Sequence, residues 1–241
     1  MYFSGYIEDC CNYENNYNVN LKGGRDVYTP VITDGSTRFG NNRWYSFSPK
    51  LKRDVYLFSD LEYEHWLLVE SNPEISEFCE QPLEVTSLIN GKVKNSIFDM
   101  WIKYIDGQQE FIEIKYSSEL NKPKVIDQIA VQKEWCNENG YKHYVQTENQ
   151  IRENRLLLSN VKLILKTMKQ SAPTDIDKYK IKKILKESMP QKISLETLLN
   201  KLELNSNRLF ILIGWMIFKG EIQSNISQSH FGVNTEVWID G

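Results

Sequence analysis

Residues 96–116 read S-I-F-D-M-W-I-K-Y-I-D-G-Q-Q-E-F-I-E-I-K-Y, and the fold turns on them. The first ten are rich in aromatic and β-branched side chains, the composition of a strand. Asp106-Gly107 is a turn signal, and residues 110–116 alternate polar and apolar as a second strand would. In a strand, residues i and i+2 share a face. Glu113 and Lys115 therefore project together, and a hairpin partner brings Asp99 beside them. Phe111, Ile112 and Ile114 are left mostly to pack.

Asp99, then Glu113-Ile114-Lys115, with Glu62 upstream, is the D…E-x-K spacing of magnesium-dependent nucleases. Phosphodiester hydrolysis needs carboxylates to hold a divalent cation, and a nearby positive charge to steady a hydroxide or a crowded phosphate. The same residue types also fit the polar face of an ordinary hairpin bearing surface ion pairs. In a chain that is 25% charged, that spacing also arises by chance. The two readings stand side by side at this level.

A chain of 241 residues suffices for one large domain or two small ones, and 41% hydrophobic residues can build a core. A net charge of −3 gives no global basic signature, so contact with nucleic acid must come from local patches. No apolar run has the length of a membrane span. The start, M-Y-F-S-G-Y-I-E-D-C-C, lacks the basic and apolar regions of a secretory signal. Cys10, Cys11, Cys79 and Cys136 have neither zinc spacing nor a disulfide framework. The three scattered histidines argue against a histidine metal site. A reduced, soluble, cytoplasmic protein is expected.

Residues 1–50 are polar and turn-rich, with interspersed aromatics, and read as an N-terminal arm with a few short strands and a basic end (Arg38, Arg43, Lys50, then Lys52 and Arg53). Such an end is either a solvated loop or a phosphate-contacting arm. Ser59 reads as the N-cap of a helix over 61–70, with Glu62 at the capping-box position and Asn72-Pro73 as the stop. Glu62 thus has two competing roles, cap and metal ligand, while Glu64 lies on another face. Strands are expected over 75–79, 83–89, 97–105 and 109–116, a helix over 125–139, a strand over 141–147 and a helix over 150–169. That order is an α/β, restriction-endonuclease-like core, assigned to residues 51–170. Residues 171–175 form a linker. Helices over 176–189, 195–202 and 208–219, then an alternating stretch to 239, predict a winged-helix-like domain over 174–241. The last of these helices is apolar between Arg208 and Lys219, which favours protein docking over base reading.

At this point the chain resembles the TnsA family, the endonuclease subunit of heteromeric transposases. Ser59-Asp60-Leu61-Glu62 resembles the family's S-x-L-E helix start, and Glu80-Gln81-Pro82 its E-Q-P element. Phe98-Asp99 stands at the metal-binding aspartate, without the proline that often precedes it. Glu113-Ile114-Lys115 is similar to the (E/Q)-x-K, and residues 147–152 (T-E-N-Q-I-R) to a T-x-x-x-I-R element. The likeness runs over residues 40–241.

The resemblance implies a metal-dependent endonuclease that hydrolyses the 5′ ends of a mobile element. Glu62, Asp99, Glu113 and Lys115 would be catalytic. Glu62, Asp99, Glu113 and the Ile114 carbonyl would hold Mg²⁺, with Mn²⁺ as a substitute, and Lys115 would sit by the scissile phosphate. Implied partners are transposon-end DNA, a DDE-type transposase subunit (TnsB) and an AAA+ ATPase regulator (TnsC) at the C-terminal domain, in a bacterial cytoplasm. Two other functions compete. One is a stand-alone restriction or repair nuclease. The other is a non-catalytic DNA or protein adaptor, against which the intact Glu62, Asp99, Glu113 and Lys115 count. Gln81 either supports the site or merely ends a strand. Trp66 and Trp101 are assigned to the core, and Lys122 and Lys124 either touch phosphates or face solvent.

Overall fold

The computed structural model describes residues 28–31, 42–168, 174–202 and 204–240. Cys10, Cys11, Arg38, most of the expected arm and residues 171–173 of the linker lie outside them. Among the described residues the first regular element is a hairpin of β1 (Trp44–Ser48) and β2 (Arg53–Leu57), which straddles residue 50 and joins the end of the arm to the layer that follows.

Helix α1 (Asp60–Ser71) starts where the Ser59 hydroxyl accepts the Glu62 N–H at 3.1 Å. The return bond departs from a full capping box, because the Glu62 carboxylate accepts the Phe58 N–H at 3.0 Å instead of that of Ser59. There follow β3 (Ile75–Glu80), β4 (Glu84–Ile89), β5 (Lys92–Ile97), β6 (Met100–Tyr104), β7 (Gln109–Ile114), α2 (Pro123–Asn139) and β8 (Lys142–Gln146). The main sheet has the order β3-β6-β7-β8. Its first three strands are antiparallel, and β8 joins β7 in parallel after the α2 crossover. Strands β4 and β5 form a separate hairpin turning at Asn90-Gly91, both at positive φ, as a two-residue turn of the primed type requires.

One strand was expected over 97–105; two form. The chain leaves β5 at Ile97 and enters β6 at Met100, changing sheets at Phe98-Asp99. The break is fixed by hydrogen bonds that a straight strand would not make. Phe98 N–H goes to Leu83 O, Asp99 N–H to Ile112 O, and the Asp99 carboxylate takes the Ile114 N–H at 2.7 Å. The helix expected over 150–169 is likewise two: α3 (Glu148–Ile151) and α4 (Arg155–Met168). Between them the Asn154 side chain accepts the Leu157 N–H, restarting the helix.

Alternation splits the sheet's side chains between two cores. Met100, Ile102, Ile112 and Ile114 pack with α1 and α4, while Trp101 and Phe111 pack with Val131, Trp135 and Cys136 of α2. Trp66 and Trp101 are both core, as expected.

The last part contains α5 (Asp175–Glu187), β9 (Ile193–Ser194), α6 (Leu195–Leu202), α7 (Ser206–Phe218), β10 (Gln223–Ser224) and β11 (Glu236–Trp238). Its three strands pair antiparallel in the order β10-β11-β9. Helix α7 buries Leu209, Leu212, Ile213 and Met216 and lies on α4, with Gly214 against Ile164. The buried Asn160 of α4 ties the two parts together. Its amide donates to Ile226 O and Ser229 O, and its oxygen accepts the Phe231 N–H. The whole is a mixed α/β molecule with several sheets, consistent with a restriction-endonuclease-like fold.

Candidate active site

Where the chain changes sheets, a cleft of about 720 Å³ opens, and Glu62, Gln81, Asp99, Lys115, Lys124 and Arg43 are among the residues lining it. Three separate elements deliver the side chains singled out in the sequence. Glu62 comes from the first turn of α1, Asp99 from the kink between β5 and β6, and Glu113 and Lys115 from the end of β7. Lys124 lines the cleft, whereas Lys122 pairs with Glu119 on the exposed surface. Glu64, on another face of the helix as expected, pairs with Arg152 at 2.6 Å.

Glu62 is almost fully buried. Besides Phe58 N–H it accepts the Ser59 hydroxyl at 3.0 Å and the Gln81 amide at 3.3 Å. Its roles as helix-start residue and as site residue are therefore compatible. Burial pushes its carboxyl up to about 7, the Asp99 charge adds to the rise, and the Phe58 and Ser59 bonds and Lys115 oppose it.

Glu113 lies beneath the cleft floor, wholly buried. Helix α2 supplies Gln128, which donates to one carboxylate oxygen at 2.7 Å, and Gln132, which donates to the other at 2.6 Å. Gln132 also bonds Ser96 and meets His143 Nε2 at 3.0 Å. These two glutamines were missed in the sequence. Their i, i+4 spacing was the available signal, since it puts both on one helix face. Burial, then the Asp99 charge, lifts the Glu113 carboxyl to about 8; Lys115 and Gln132 pull it back.

The Lys115 ammonium pairs with Glu113 and lies 3.7 Å from Asp99 Oδ2 and 3.3 Å from the Ile114 carbonyl. Burial works against its charge, yet Asp99 and Glu113 outweigh burial and hold it above the usual lysine range. It is thus a fixed positive charge and a poor base.

The donor chemistry suits a hard dication: carboxylate, carbonyl and amide oxygens only. Two buried carboxylates lifted toward neutrality beside the Asp99 charge fit such an ion. Among the described residues, however, no three His, Cys, Asp or Glu side chains are gathered closely enough to cage a metal as they stand. Lys115 already serves three of the four groups that the resemblance assigns to it.

An acidic and amine cluster at the kinked edge of a central hairpin, in a mixed sheet with a helix-borne glutamate, is consistent with a restriction-endonuclease-like fold. Residues 72–148, about a third of the chain, match the model of the TnsA-like endonuclease N-terminal domain, which supports the likeness to the TnsA family. The matched segment holds Gln81, Asp99, Glu113 and Lys115; Glu62 precedes it. No curated protein matches the chain as a relative. Among the described residues no helix is long and apolar enough to cross a membrane.

Proposed function

We propose that the protein is the metal-dependent DNA endonuclease subunit of a cut-and-paste transposase, hydrolysing phosphodiester bonds at the 5′ ends of the element. The observation that carries this reading is the convergence of Glu62, Asp99 and Lys115 on one open cleft, with Glu113 directly beneath, the last three inside a segment matching a TnsA-like endonuclease domain and Glu62 just ahead of it. Glu62, Asp99, Glu113 and the Ile114 carbonyl would hold Mg²⁺, or Mn²⁺ in its place. When bound, the cation supplies Lewis-acid polarisation of the phosphoryl group and makes water more acidic.

The chain's own residues supply the rest. Lys115 sets a positive charge where negative charge builds on the phosphate. Gln128 and Gln132 hold Glu113 in one orientation. Arg43, Lys94 and Lys124 line the cleft alongside the acidic Glu84 and Asp127; Lys94 pairs with Asp127, and Arg43 and Lys124 would meet the phosphate backbone. In the reaction a water oxygen bonds to phosphorus, the bridging P–O bond breaks, and the leaving oxygen ends protonated.

A DDE-type transposase (TnsB) would make the opposite-strand cuts. The winged-helix-like C-terminal part would dock the AAA+ regulator (TnsC); its apolar α7, committed to packing on α4, suits a structural helix better than a base-reading one. The test is cleavage of labelled transposon ends in a reconstituted system with Mg²⁺. The reading requires loss of cutting in Asp99→Ala with unchanged circular dichroism. Undiminished cutting by that variant overturns it.

A further inference from the structure

Gln81 combines three observations that packing alone does not account for. It is buried, yet its backbone sits at φ +38°, in the left-handed region that a glutamine seldom adopts. Strain of this kind persists where the surroundings over-determine the conformation, and it concentrates at functional sites. The surroundings are visible. Gln81 N–H donates to Asp99 O at 3.1 Å, and Gln81 O accepts the Val31 N–H at 2.9 Å. The preceding residue, Glu80, is clamped by both guanidinium nitrogens of Arg53. The strained backbone aims the side chain into the cleft, where its amide nitrogen donates to Glu62 Oε2 at 3.3 Å. Its amide oxygen is buried and has no hydrogen-bond partner. A buried amide oxygen left unmatched costs stability, so its retention calls for a use.

The geometry points to Gln81 as a catalytic residue whose carbonyl oxygen accepts a hydrogen bond from the attacking water beside Glu62. The amide then does two things with one side chain. Its nitrogen fixes the Glu62 carboxylate, and its oxygen turns a water lone pair toward phosphorus. An amide cannot take the proton, so it orients and does not act as base. This inference rests on the nuclease reading above.

The test uses the full chain in the reconstituted end-cleavage system, with Gln81→Asn and Gln81→Gly. Asparagine keeps the amide chemistry and tolerates the left-handed region better than glutamine, but it withdraws the amide by one methylene. Glycine relieves the strain altogether. Both variants are expected to melt at or above the wild-type temperature or within a few degrees of it. Their kcat should fall by about 10²-fold, the usual effect of misplacing a reacting group by an ångström or so, with KM little changed. Mn²⁺ affinity, measured by calorimetry on the protein without DNA, should stay within about threefold, because the proposed contact is to water. Wild-type kcat in Gln81→Asn overturns the inference. So does a loss of rate that only tracks a loss of melting temperature, or a loss confined to KM. If wild type and Asp99→Ala are equally silent and neither binds Mn²⁺, the nuclease reading falls and takes this inference with it.

Discussion

Replacing Arg53 with alanine probes the clamp that holds the Gln81 turn. The Glu80 side chain is 0% exposed and receives both Arg53 guanidinium nitrogens, at 2.6 and 2.7 Å. Among the described residues its other hydrogen bond is from the Tyr56 N–H, at a long 3.4 Å. Removing one partner of a buried ion pair costs about 3–5 kcal/mol, because a desolvated charge is left behind. Arg53 is itself 34% exposed, so water can follow the vacated stem and screen Glu80. The expected loss is therefore about 2–3 kcal/mol. Urea denaturation of Arg53→Ala, Glu80→Gln and the double variant measures it, with the slope m unchanged and the midpoint lowered. The double variant should cost less than the sum of the two singles by more than about 1 kcal/mol. Because Glu80 adjoins Gln81, end cleavage should fall as well. A cost below about 0.5 kcal/mol, the range of an exposed pair, would refute the argument that this carboxylate is clamped and dry.

Acid should weaken the fold through His65. This buried imidazole, whose Nδ1 has no partner, is pushed by burial from 6.5 down to about 4. Between those values the unfolded chain binds a proton that the folded one refuses. Stability from this group is therefore full above pH 6.5 and lost as pH falls toward 4. The loss totals about 3 kcal/mol, and His65→Gln should flatten the acid limb of a melting-temperature profile. Gly214→Ala sets a methyl 2.7 Å from Ile164 Cγ2. Overpacking of about 1–3 kcal/mol, offset by up to about 1 kcal/mol of helix propensity, leaves a net loss of about 1 kcal/mol in thermal or urea unfolding. Added Mg²⁺ should raise the melting temperature of wild type and not of Asp99→Ala, as differential scanning fluorimetry would report.

Much of the site was legible because its chemistry follows strand and helix periods. The two-residue spacing of Glu113 and Lys115 and the Ser59 cap before Glu62 each fixed a side chain's direction from local rules. The split at Phe98-Asp99 was not legible. Residues 97–105 are uniformly good strand formers, and only hydrogen bonds to the distant Leu83, Ile112 and Ile114 break the run. Gln128 and Gln132 resembled any polar helix face until Glu113 was placed beneath them. The β1–β2 hairpin was hidden by aromatic and basic residues that read equally well as an arm. The positive φ of Gln81 leaves no trace in a tetrapeptide such as E-Q-P-L, because tertiary contacts impose it.

The seam between α4 and α7 bears on how this chain can be handled in the laboratory. Ile164 and Met168 meet the Gly214 region, and Asn160 holds the loop that leads back from Ile226 to Phe231. A fragment ending near residue 170 would carry the whole cleft and yet expose an oily stripe on its final helix. Such a fragment should clump or bind detergent. The tail thus serves as a lid on the greasy flank of the half that bears the cleft.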